Sequence, residues 1–106
     1  MTPQGPALVW CPFPDSESAD SSVNSVLDEK LAACANVMPG MRSAFVWMGK
    51  REEANEVGVL FKTDAALLES LVSRLEQLHP YEEPAILGWR CDHAAPATAH
   101  WLGALV

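Results

Sequence analysis

Apolar positions along the chain switch between period two and the helical period. Ala7-Leu8-Val9-Trp10-Cys11 is an unbroken apolar run closed by Pro12 and Pro14, which predicts a buried first strand. Asp15 and Ser16 offer caps, and Ala19, Val23, Val26, Leu27, Leu31 and Cys34 then recur at helical spacing, predicting a first helix. Ala35 opens a strand that Pro39-Gly40 interrupts and that resumes from Met41 to Met48 before Gly49-Lys50-Arg51 turns the chain. A returning strand runs over about Glu52 to Thr63, with Val57, Val59 and Phe61 on one face. Asp64 caps a second helix whose stripe of Leu68, Leu71, Val72, Leu75 and Leu78 stops at His79-Pro80. Ala85 to Trp89 is the last strand, and Thr98 to Leu105 forms a short terminal helix.

This order, βαββαβ plus a C-terminal helix, predicts a single α+β domain over residues 1–106: a ferredoxin-like sandwich with a long hairpin between its second and third strands. Right-handed crossovers put both main helices on one face of an antiparallel sheet. The terminal helix alone is left for the other face, so self-association is expected. A hydrophobic fraction of 49% with four Trp in 106 residues points the same way. A formal charge of -7 without a basic patch argues against nucleic-acid binding. No apolar run reaches membrane-spanning length and no signal-peptide pattern opens the chain, so a soluble cytoplasmic protein is expected, with neither nucleic-acid nor membrane partners. The three cysteines, Cys11, Cys34 and Cys91, form no C-x-x-C pair and fit neither a disulfide framework nor a zinc finger.

Candidate chemistry concentrates in His79-Pro80-Tyr81-Glu82-Glu83-Pro84. An imidazole, a phenol and two carboxylates stand between two prolines that restrict the backbone. In the predicted topology the end of the first strand, the hairpin tip at Trp47-Met48-Gly49-Lys50 and the start of the last strand share one end of the sheet. Trp47, Lys50, Glu56, His79, Tyr81, Glu82 and Glu83 are therefore the candidate ligand-binding residues, suited to a small polar metabolite, anionic or zwitterionic. Cys11 belongs to this end and Cys34 to the other, so the two should not chelate one ion within a chain.

These blocks carry a resemblance. Glu29-Lys30-Leu31-Ala32-Ala33-Cys34-Ala35-Asn36, Pro39-Gly40, Trp47-Met48-Gly49-Lys50 with Glu56, Lys62-Thr63 and His79 to Pro84 are similar to the signature blocks of the CutA1 divalent-cation tolerance family, from about Leu8 to Leu105. The resemblance implies a homotrimer related to the PII signalling proteins, with hairpins wrapping between subunits and ligand clefts at their boundaries. It also implies a sensor or binding module linked to copper or another divalent cation, with Cys11 and Cys34 at positions of candidate copper ligands; the residue chemistry adds His79, with Glu82 and Glu83, as a candidate ligand that would hold Cu(II) or zinc only weakly. The sequence departs from the family pattern at a third cysteine position in the second helix, at Ala85 in place of Glu, and at Gly88-Trp89-Arg90-Cys91. Two other classes compete with the cation reading. A metabolite-binding signalling trimer is one. The other is a hydrolase of acylphosphatase-like topology, which would need an Arg that Pro12-Phe13-Pro14-Asp15 does not supply. A scaffold that docks a partner through the hairpin is a further reading; for Trp47 itself, packing at a subunit boundary is favoured over ligand stacking, and Lys50 could equally be a solvated turn residue.

Overall fold

A computed structural model describes residues 1–106. Alternation in the first strand, β1 (Pro6–Phe13), is complete: Ala7, Val9, Cys11 and Phe13 are fully buried, and the residues between them are partly exposed. After it come α1 (Ser16–Asp28), β2 (Cys34–Trp47), β3 (Lys50–Asp64), a 3-10 turn (Ala65–Leu67), α2 (Leu68–Leu78), β4 (Leu87–Arg90) and α3 (Pro96–Gly103). The sheet is antiparallel in the order β2-β3-β1-β4, as the ferredoxin-like reading requires. Val57, Val59 and Phe61 of β3 lie beside the buried row of β1, and Val26, Leu71 and Leu75 of the two helices close over them. The terminal helix α3 packs against β1 and β3, where it buries Leu102 apart from that cluster.

Several boundaries differ from the sequence expectation. The first helix stops at Asp28 rather than running on toward Cys34, because Lys30 turns left-handed at φ 57°. Amides of Lys30 and Leu31 then bond back to Leu27 and Val26 carbonyls, the Schellman arrangement normally built on glycine. The hairpin turn is Met48-Gly49, with φ of 52° and 79°, and pairing already resumes at Trp47 and Lys50. Positive φ at both central residues matches the twist of the flanking strands. One extra residue between Met38 and Met41 makes the expected bulge, with Gly40 at φ 74°. Beyond it the hairpin projects from the body. The radius of gyration is accordingly 14.3 Å, against roughly 13 Å for a compact chain of this length. The last strand starts at Leu87 because the Ile86 amide bonds to the Pro84 carbonyl and keeps Ala85 in a turn. Pro96, which needs no amide partner, opens α3 earlier than expected.

Asp64 does more than cap. Its side chain accepts the Ala66 amide at 2.9 Å and also the amides of Gln4 and Gly5, at 2.9 and 3.1 Å, tying the N-terminal segment to the end of β3.

The acidic cleft at the hairpin

Pro80 ends α2, and His79 takes an extended backbone with its amide on the Leu75 carbonyl. That turns the imidazole back over the end of β1. It stacks on Phe13 with ring centroids 4.6 Å apart and 18° between planes, and only 7% of the residue is exposed. Nδ1 accepts the Tyr81 amide at 3.1 Å, so the ring proton is on Nε2, which donates to the Pro12 carbonyl at 2.7 Å. Both ring nitrogens are occupied. His79 is thus a wedge between strand and loop, and it presents no free nitrogen to the cleft or to a metal ion.

Tyr81 sits 4.9 Å from the His79 ring, and its hydroxyl donates to Glu56 of β3 at 3.2 Å. Burial pushes its phenol above the usual range, and the nearby Glu56 carboxylate adds to the effect. This bond joins the loop after α2 to the base of the projecting hairpin. Between them lies a cleft of about 1000 Å³. Phe45, Trp47 and Tyr81 give it aromatic walls, and Glu56, Glu82 and Glu83 give it three carboxylates. No basic side chain lines it. Lys50 stands opposite Trp47 at the exposed tip and is not part of the lining, and His79 is behind the wall. The expected convergence therefore holds for Trp47, Glu56, Tyr81, Glu82 and Glu83. It fails for Lys50 and His79. Removing the cation from the set turns the site from one suited to anions into one suited to cations. Sequence reading missed Ser43 and Phe45, although they share Trp47's face by simple alternation along β2.

The thiol candidates are not at the cleft. Cys11 is fully buried in the core, and burial, followed by the Glu56 charge, pushes its thiol up to about 12. A thiol held protonated in this way is a poor metal ligand. Cys34 lies opposite Lys62 while Cys11 lies opposite Val59, about three residues or roughly 10 Å along β3. The Cys34 thiol faces the Asn36 side-chain oxygen at 3.8 Å. Cys11, Cys34 and His79 therefore form no common site within one chain, and no group of three His, Cys, Asp or Glu side chains is placed to hold a metal ion. No helix is long and apolar enough to cross a membrane.

With this geometry in hand, comparison with known proteins is decisive. The sequence profile of the CutA1 divalent ion tolerance protein family matches residues 7–104. The chain belongs to the CutA1 family. The divalent-cation tolerance protein CutA of Pyrococcus horikoshii is 42% identical over 95 residues, covering 90% of this chain and 92% of that protein. Its counterpart from Pectobacterium atrosepticum is 40% identical over 80 residues, covering 76% and 73%. The crystal structure of CutA1 from Oryza sativa superposes with a TM-score of 0.90 at 28% identity, covering 99% of this chain and 96% of that one. The CutA1 match takes in the hairpin, the His79 to Pro84 loop and the departures at Ala85 and Gly88 to Cys91 alike.

Proposed function

We propose that this CutA1 protein is a homotrimeric binding module for cations, a sensor or buffer rather than an enzyme, and that its ligand enters the cleft between the hairpin and the His79 to Pro84 loop. One observation carries the reading: three carboxylates and three aromatic rings line that cleft without a single basic side chain. Carboxylate oxygens suit divalent ions, and Cu(II) or Zn(II) held by Glu82 and Glu83 with water would be bound loosely, at micromolar affinity or weaker. The aromatic walls favour a second reading, an organic ammonium ligand over the faces of Trp47 and Tyr81. Trimerisation is supported by the exposed apolar residues of the hairpin, among them Met38, Phe45, Val46 and Trp47 at 38 to 70%.

Native mass spectrometry gives the chain count. Calorimetry with Cu(II), Zn(II) and a simple alkylammonium salt then compares the parent with Glu82→Gln/Glu83→Gln. Each charge-assisted contact contributes about 1.5 to 3 kcal/mol, so the double variant should bind at least about tenfold more weakly. Unchanged affinity in that variant, or nanomolar metal binding lost on Cys34→Ser, would overturn the proposal.

A further inference from the structure

A groove of about 880 Å³ runs between α2 and β4 and shares no lining residue with the hairpin cleft. Its floor is apolar, from Leu68 and Val72 of α2 and from Ile86 ahead of β4. Gly88 and Arg90 lie opposite Val9 and Ala7, members of the buried row of β1, so both positions look toward α2. Gly88 keeps the floor open: a Cβ there would stand 3.0 Å from the Leu68 side chain and 3.3 Å from that of Val9. Both residues fall where the sequence departs from the family pattern, so the open floor and its cation are features of this chain. Three charged side chains line the groove, Arg90, Glu69 and Glu76, and all are exposed. None is in an ion pair, since the one ion pair of the chain joins Arg74 to Glu29. Arg90 makes a single long hydrogen bond, to the Gln4 side chain at 3.4 Å.

The charges have an order along the groove. β4 ends at Arg90 beside Ala7, and α2 begins just after Asp64, the partner of Pro6, so Arg90 and Gln4 stand at the first turn of α2 with Glu69. Glu76 follows two helical turns on, roughly 10 Å along the axis. We infer that this groove binds a free basic amino acid of lysine's length, with its carboxylate on Arg90 and Gln4, its α-ammonium on Glu69 and its side-chain cation on Glu76. Each of the ligand's three charges is opposite to the one it meets, and its methylene stem covers Leu68, Val72 and Ile86. Length fits as well. The two nitrogens of extended lysine are six bonds or roughly 7 Å apart, and a charge-assisted contact of about 2.8 Å at each end carries them to carboxylates two turns apart. A neutral amino acid leaves Glu76 unused, a diamine leaves Arg90 unused, and the C-terminal lysine of a peptide lacks the cation for Glu69. The site is independent of the cation cleft proposed above.

Calorimetry on the intact protein with L-lysine tests this beside three probes that each lack one charge: norleucine without the side-chain cation, cadaverine without the carboxylate and Nα-acetyl-lysine without the α-ammonium. L-lysine should bind, and each probe should bind at least about tenfold more weakly, the effect of one lost charge-assisted contact. Arg90→Gln should bring lysine down to the affinity of cadaverine, and Glu76→Gln should bring it down to that of norleucine. Both positions are exposed, so the fold stands in either variant. Glu82→Gln/Glu83→Gln should leave lysine binding unchanged. Loss of lysine binding in that double variant would put the ligand in the hairpin cleft, which overturns this inference and supports the cleft reading. No binding of lysine by the parent protein, or equal affinity for lysine and all three probes, would overturn it and leave the cleft reading standing.

Discussion

Replacing His79 with Ala separates an architectural residue from a ligand. The imidazole makes two hydrogen bonds, to the Pro12 carbonyl and from the Tyr81 amide, and stacks on Phe13. Each bond contributes about 1 kcal/mol net, and the stacked ring about another 1 kcal/mol beyond its burial. His79→Ala should then cost about 3 kcal/mol, a large part of the 5 to 15 kcal/mol that holds a typical domain together. Urea unfolding at one fixed chain concentration measures this, so that the proposed self-association contributes equally to parent and variant. Hydrogen exchange should show the Tyr81 amide losing protection first, because its acceptor is gone. His79→Gln, whose amide group reaches the position of Nε2, should recover about 1 kcal/mol by restoring the bond to Pro12. Divalent metal binding should be nearly unchanged in both variants. A loss under about 1 kcal/mol with full Tyr81 protection would refute the wedge, and abolished metal binding in a stable His79→Ala protein would make His79 a ligand after all.

Two further outcomes follow from local features. The Cys11 thiol, at about 12 in the fold against 9.0 when free, binds its proton more tightly in the folded than in the unfolded chain. Stability from this source is complete below pH 9 and falls as pH rises toward 12, by up to about 4 kcal/mol, so Cys11→Val should flatten the alkaline limb of unfolding curves recorded from pH 8 to 11. Lys30 holds φ 57°, a conformation that costs an ordinary residue about 1 kcal/mol. Lys30→Gly should therefore raise stability by about 0.5 to 1 kcal/mol, read as a higher melting temperature.

The order of elements was legible because each depends on short-range pattern: the leucine stripe of α2, the alternation of β3, the interruption at Pro39-Gly40. What escaped were features set by distant partners. Nothing in the spacing of Lys30 announces a left-handed residue, because Lys is not one of the types that favour it; the amides of Lys30 and Leu31 hold it there. The three amides gathered by Asp64 include two from sixty positions away, beyond any window of periodicity. At the cleft, Trp47, Glu56, Tyr81, Glu82 and Glu83 were placed correctly by topology, whereas Lys50 was misplaced by proximity in sequence to Trp47. Lys50 pairs with Trp47 across the two-residue turn, yet only Trp47 and Met48 of that turn line the cleft.

Gly58 shows the same limit from the side of packing. It reads as a weak point in a strand, yet a Cβ there would lie 2.3 Å from the Trp10 ring, which crosses the sheet over it. Residue type alone cannot tell such a packing requirement from a defect. The His79 to Pro84 block poses that problem for function. One residue of the block, His79, has both ring nitrogens committed, one to Pro12 of β1 and one to the Tyr81 amide, while Tyr81, Glu82 and Glu83 line the cleft. A motif that names a family thus mixes positions that build the cleft with positions that face its ligand. A His79 substitution reports on the loop, so only the Glu82 and Glu83 variants bear directly on the proposed cation site.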